Sequence, residues 1–131
     1  MKLDLPTELE VLSDDEIESL YGTGTSEYYE FVAMNNEGTK CIIGYIFDKT
    51  ELEDDITAEE YLEMIFSDLD EIEVKETEIS GFDFKYVEND YTYEEVIYTE
   101  EYLVYEQDDK FICIYIVYPK DDAFNLEDII S

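Results

Sequence analysis

The side chains here that could do covalent or acid–base chemistry are two cysteines, Cys41 and Cys113, and 38 carboxylates; the sequence has no histidine, no arginine and no tryptophan. A nucleophilic cysteine needs a base to take its proton and a positive field to favour the thiolate. Without histidine the commonest base is missing, and crowded acids push a thiol pKa up. Each cysteine sits in an apolar run, Cys41-Ile42-Ile43 and Ile112-Cys113-Ile114. Both read as buried thiols acting as small hydrophobes. A disulfide between them requires their two strands to adjoin.

The carboxylates are too many for any one pair to mark acid–base catalysis of the glycosidase kind, because close pairs arise by chance. Asp14-Asp15-Glu16 and Asp68-Leu69-Asp70-Glu71 could attract a divalent cation weakly. Neither has the spaced ligands and central glycine of an EF-hand loop. Gly22-Thr23-Gly24 is too short to cradle phosphates, and no lysine follows it. The sequence therefore assigns no catalytic, cofactor-binding or metal-ligating residue, and the chain reads as a non-enzyme.

What remains is binding, and the charge limits the partner. Seven lysines against 38 acids leave a formal charge of −31. Such a surface repels nucleic acid and anionic membranes. No stretch reaches the roughly 20 apolar residues of a membrane span. Met1 to Leu5 lacks the apolar stretch and cleavage site of a signal peptide. The expectation is a cytoplasmic protein, with the alternative of an exported or lipid-anchored one whose leader was removed upstream. An apolar fraction of 45% and an aromatic fraction of 15%, with 13 Tyr and 7 Phe, argue for a folded domain rather than an acidic tail. The 131 residues read as one domain, 1–131, with no repeat or linker.

The elements follow from periodicity and capping chemistry. Ser13-Asp14-Asp15-Glu16 is a capping box opening a helix with Ile17, Leu20 and Tyr21 on one face, stopped by Gly22. Residues 27–34 and 39–47 read as a hairpin around Asn35-Asn36-Glu37-Gly38. A second box, Thr57-Ala58-Glu59-Glu60, opens a helix with Leu62, Ile65, Phe66 and Leu69 as its core stripe. Alternation then runs through Ile72, Val74 and Ile79, breaks at Gly81, and resumes at Phe82, Phe84 and Tyr86. Asn89-Asp90 reads as a turn, residues 94–106 as a long strand, and Gln107 to Lys110 as a turn. Phe111 to Tyr118 is apolar enough to be the central strand, with Ile114 in the core, and Pro119 ends it. Phe124, Leu126, Ile129 and Ile130 belong to a short closing helix. Short turns between consecutive strands give an α+β fold, a mostly antiparallel sheet of about five to six strands with helices packed against it.

From Ile56 onward this pattern resembles the Mog1/PsbP-like α+β domains, which include small bacterial domains of unknown function. The resemblance rests on Ile56-Thr57-Ala58-Glu59-Glu60-Tyr61, on Glu78 through Gly81 to Tyr86, on Tyr105 through Asp109 to Ile114, and on the closing segment Phe124 to Ser131. It implies a binding, accessory or chaperone-like role and no catalytic motif. The charge departs from the family, exceeding what solubility requires.

Two clusters stand out as candidate contacts. Within Tyr91 to Tyr102, Glu94, Glu95, Glu100 and Glu101 supply charge, while Tyr98 and Tyr102 supply contact area. Asp54, Asp55, Glu59 and Glu60 form the second cluster. A domain of this length spans roughly 35 Å. Duplex DNA carries about 20 charges over that distance, so a charge of −31 is comparable. Such self-repulsion costs stability, which is easier to understand if a basic surface must be met. The reading is an inhibitor or immunity-type protein that occupies the basic cleft of a nucleic-acid-handling protein or toxin. The alternative is a PsbP-like accessory domain of an exported bacterial lipoprotein, and a third reading is adaptation to high salt.

Salt screens like charges, so the fold should gain stability as ionic strength rises. Thermal melts in 0.02 M and 0.5 M NaCl should show a rise of several degrees; a flat melting temperature would rule out carboxylate repulsion as a limit on stability.

Overall fold

The computed structural model describes residues 3–24, 27, 29–51, 56–66 and 73–130. Its centre is an antiparallel sheet of seven strands: β1 Glu10–Val11, β2 Phe31–Met34, β3 Cys41–Asp48, β4 Lys75–Ile79, β5 Phe82–Tyr93, β6 Val96–Gln107 and β7 Lys110–Pro119. Their order across the sheet is β1-β2-β3-β7-β6-β5-β4. The helices that lie wholly within the described residues are α1 Asp14–Tyr21, α2 Ala58–Ile65 and the one-turn α3 Leu126–Ile129, with a 3-10 turn at Lys49–Glu51. The fold is thus α+β as expected, with one more strand than the upper expectation, because Glu10–Val11 is too short to show a period.

Strand β7 lies fourth of seven, which explains its apolar run. It is covered on both faces: Phe111 and Cys113 point to one side, and Ile114 and Ile116 to the other, each no more than 1% exposed. On the first face α2 places Ala58, Tyr61 and Leu62 against Tyr45, Val87, Val104 and Phe111, and α1 places Ile17 against Val32 and Ile43. On the second face Leu3, Leu5 and Leu9 meet Phe124, Leu126, Ile129 and Ile130 over Ile42, Phe84 and Leu103. The two ends of the chain are tied there, by a bridge between Leu3 and Ile130 and a 2.7 Å bond from the Asp4 amide to the Ile129 carbonyl. Gly44 makes room on this face, since any Cβ there would collide with the ring of its cross-strand partner Phe31.

Both capping boxes form. The Ser13 hydroxyl accepts from the Glu16 amide and the Thr57 hydroxyl from the Glu60 amide, with each glutamate bonding back. The faces they present differ from the periodic reading. On α1 only Ile17 is buried, while Leu20 is 58% exposed. On α2 the stripe starts one turn earlier, at Ala58, Tyr61, Leu62 and Ile65, because the cap fixes the start and the helix ends at Ile65. Phe66 is the C-cap and only half-buried, packed edge-on to Tyr102 at 5.1 Å. Leu69 and Ile72 lie outside the described residues.

Three strand boundaries are corrected. The first strand of the early hairpin starts at Phe31 rather than 27. Asn89-Asp90 is no turn: both residues sit in β5, paired with Glu100 and Thr99. The reversal falls instead at Glu94-Glu95, so the long strand begins at Val96. Cross-strand pairing over nine residue pairs outweighs the local turn preference of Asn and Asp. The closing helix is a single turn, with Phe124 before it and Ile130 after it.

Truncation should grade with burial. Leu62→Ala and Ile114→Ala should each cost about 2–5 kcal/mol, and Leu20→Ala less than about 0.5 kcal/mol. Urea midpoints for the three variants check this; equal losses at Leu20 and Leu62 would place the wrong face of a helix inward.

Candidate functional site

The run from Tyr91 to Tyr102 folds as a hairpin, and strand geometry sends its side chains to two faces. Tyr91, Tyr93, Val96, Tyr98, Glu100 and Tyr102 share the face that α1 and α2 cover farther along; Asp90, Ile97, Thr99 and Glu101 share the opposite face. The structure therefore brings Tyr98, Glu100 and Tyr102 together, separates them from Glu101, and sets Glu94 and Glu95 at the tip. Glu59 and Glu60 are exposed on the first turn of α2, with Glu60 engaged in the cap. Asp54 and Asp55 lie outside the described residues.

At the tip the backbone is under strain. Glu94 and Glu95 have φ of 48° and 70°, the left-handed region that Asn-Gly takes at low cost in such two-residue turns. Around them stand large apolar side chains left in solvent: Tyr93 is 61% exposed, Ile97 49%, Val96 42% and Tyr91 39%. The Tyr91 ring stacks on Tyr98 at 5.6 Å. Lys120 pairs with Asp90 at 2.8 Å beside the tip.

The carboxylates behind the tip differ sharply. On one face the Glu100 carboxylate accepts from the Tyr115 hydroxyl at 2.7 Å and from the Asn89 amide at 3.0 Å. On the other, Glu101 is 8% exposed and sits directly across from Glu88. Burial, and then the Glu88 carboxylate, push Glu101 up to about 6, against the opposing hydrogen bond from Tyr118. Asp90 is held below the ordinary aspartate range by Lys120 and Thr99. The inward position of Glu101 was readable from the sequence, since it is in phase with Leu103 and Tyr105. Its neighbour Glu100, adjacent in sequence, lies on the opposite face.

The cysteines are free thiols. Their strands do adjoin, but the register sets Cys41 opposite Val117 and Cys113 opposite Tyr45, four residues apart. That is about 13 Å of strand, well beyond disulfide reach. Burial pushes both thiols up to about 11. Among the described residues no group of three or more Cys, Asp or Glu side chains is placed to hold a metal ion. Asp14, Asp15 and Glu16 occupy the first turn of α1, where Glu16 closes the cap. No described helix is long and apolar enough to cross a membrane.

No family model and no curated protein matches this sequence. Solved structures do match. A crystal structure from Bacteroides thetaiotaomicron VPI-5482 aligns with 98% of this chain at 15% identity and a TM-score of 0.63; this chain spans 42% of that protein's length. The solution structure of cyanobacterial PsbP, CyanoP, from Synechocystis sp. PCC 6803 aligns with 91% of this chain and 74% of its own, at 11% identity and a TM-score of 0.53. LpqN of Mycobacterium tuberculosis, described as involved in cell envelope biogenesis, aligns with 92% of this chain and 71% of its own, at 11% identity and a TM-score of 0.48. The fold is the Mog1/PsbP-like α+β fold that the sequence pattern resembles.

The raised Glu101 pKa has a sign. The folded state holds this proton more tightly than the unfolded chain, so stability falls as pH rises from the ordinary glutamate value of 4.5 through about 6. Asp90 acts oppositely and far lower, losing its contribution as acid protonates it. Unfolding free energies from urea titrations should therefore rise between pH 7 and pH 5 by on the order of 1 kcal/mol. Glu101→Gln should flatten that rise; a slope that survives the substitution would assign it to other carboxylates.

Proposed function

We propose that this PsbP-like domain is a non-catalytic accessory module that docks on a basic protein surface through the tip of its β5–β6 hairpin. The observation that carries the reading is the choice of residues at the tip. Two like charges hold adjacent left-handed positions that each cost a non-glycine residue roughly 1–2 kcal/mol. Backbone strain persists where something other than stability is selected. Exposed Tyr91, Tyr93, Val96 and Ile97 flank those charges, so apolar anchors and carboxylates share one surface.

The partner surface we infer is one that otherwise takes nucleic acid, on a protein such as a nuclease, toxin or DNA-binding factor. The charge of −31 favours it, because a polyanion-binding cleft is where this density of carboxylates gains most. The chain then acts as an inhibitor or immunity-type protein. The broader accessory reading, with a neutral envelope partner, draws its support from the PsbP-like fold and stands without nucleic-acid mimicry.

Glu94→Asn with Glu95→Gly separates stability from binding. The double variant should raise stability by about 1 kcal/mol through relief of strain. In capture experiments from the native host it should lose the partner that the wild type retains. Duplex DNA should displace the wild-type complex, and its affinity should fall steeply with salt. Partners retained by the double variant and indifferent to DNA would sink the docking reading at this tip.

A further inference from the structure

On the helical face of the sheet, between α1 and α2, lies a cleft of about 600 Å³ that the docking tip does not use. Six of its lining side chains are tyrosines: Tyr21, Tyr29, Tyr45, Tyr61, Tyr102 and Tyr115. Several meet at angles that turn ring faces and ring edges toward one another. Tyr21 and Tyr29 are T-shaped at 5.7 Å, Tyr29 and Tyr45 T-shaped at 6.4 Å, and Tyr102 and Tyr115 tilted at 4.4 Å. Tyr45 and Tyr61 are buried at its wall, while Tyr29, Tyr102 and Tyr115 are half-buried and Tyr21 is exposed. The remaining described lining is aliphatic, with Gly38 and the Cys41 thiol, and includes no lysine. A carboxylate adjoins it: Glu100 holds the Tyr115 hydroxyl at 2.7 Å and lies across from Val117, itself part of the lining.

We propose that this cleft binds an organic cation, an alkylammonium group with an apolar shell. Ring faces carry negative charge density and attract such a cation, most strongly when water is excluded. The Glu100 carboxylate, bonded to Tyr115, adds the attraction of an acid beside the cleft. An anion would be repelled by that carboxylate and by the field of a −31 chain, which also concentrates cations at its surface. Among the described lining residues no carboxylate is present to replace the water of a bare inorganic cation. A neutral apolar ligand would fit the rings and leave the charge unused.

The ammonium group can come from a free methylated amine or from a modified lysine of a polypeptide. The chemistry is shared, and the experiment distinguishes the sources. Aromatic proton–carbon NMR spectra of the intact chain would be followed during titration with choline. A trimethyllysine peptide, the uncharged choline isostere 3,3-dimethylbutan-1-ol, and sodium chloride at matched ionic strength would be titrated alongside. Saturable shifts of the Tyr29, Tyr102 and Tyr115 rings are expected with choline or with the peptide, and the tighter of the two identifies the source. The isostere should bind at least tenfold more weakly. Glu100→Gln, whose carboxamide oxygen can still accept from Tyr115, should weaken binding severalfold while the chain still melts cooperatively, and Tyr102→Leu, provided it melts as the wild type does, should abolish it. Ring shifts that sodium chloride or the isostere reproduces in full, or no saturable shift with either ammonium compound, would overturn the proposal. The outcome is independent of the hairpin tip, because the Glu94→Asn, Glu95→Gly variant keeps the cleft intact and should bind choline as the wild type does.

Discussion

Burial of β7 on both faces is the constraint from which the architecture follows. A strand with Phe111 and Cys113 on one side and Ile114 and Ile116 on the other leaves no face for solvent. Something must cover each side. Helices α1 and α2 close one of them, and the joined end segments close the other. The neighbours β3 and β6 inherit the same double cover near the middle of the sheet and lose it toward their ends. Apolar contact must supply this order, because seven lysines cannot hold together a chain with 38 acids. The lysines instead tie distant segments at single points. Lys40, 5% exposed, bonds Glu8 and Asp122 at 2.9 Å each and lies over the Phe124 ring. Lys49 reaches Glu106, Lys85 reaches Glu76, and Lys120 reaches Asp90.

Much of this fold was legible in the sequence where chemistry is local. Ser13 with Glu16, and Thr57 with Glu60, announce helix starts through side chains that satisfy backbone amides three residues away. Asn35 announces its turn in the same way, its carboxamide oxygen accepting from the amides of Thr39 and Lys40. The apolar run from Phe111 to Tyr118 announces a central strand. Reading failed where a distant partner decides. Asn89 and Asp90 have turn chemistry, yet Glu100, Thr99 and Lys120 supply them with cross-strand and side-chain bonds that a turn would forgo. Two glutamates turn the chain instead, which no local preference suggests.

The candidate contacts divide along the same line. Alternation is visible in the sequence and by itself sends Glu100 and Glu101 to opposite faces. Without the reversal at Glu94-Glu95 the phase of β5 against β6 was unknown. Glu88 could then not be matched with Glu101, nor Asn89 with Glu100. The tyrosine cleft was less accessible still. Its rings come from α1, the segment before β2, β3, α2, β6 and β7, and no spacing along the chain relates them.

The joining of the two ends has a mechanical consequence. Tension applied between Leu3 and Ile130 acts first on their bridge and on the bond from Asp4 to Ile129. Beyond that lock the amino-terminal lead reaches β1, at one edge of the sheet, whereas the carboxyl-terminal lead reaches β7 at its middle. A pull loads both leads equally, and β1, held on one side by two residue pairs, gives way with β2 before β7, which is paired along its length on both sides. The first extension under load would therefore uncover Ile42 and Ile43 on β3 while the β4–β5–β6–β7 half kept its hydrogen bonds.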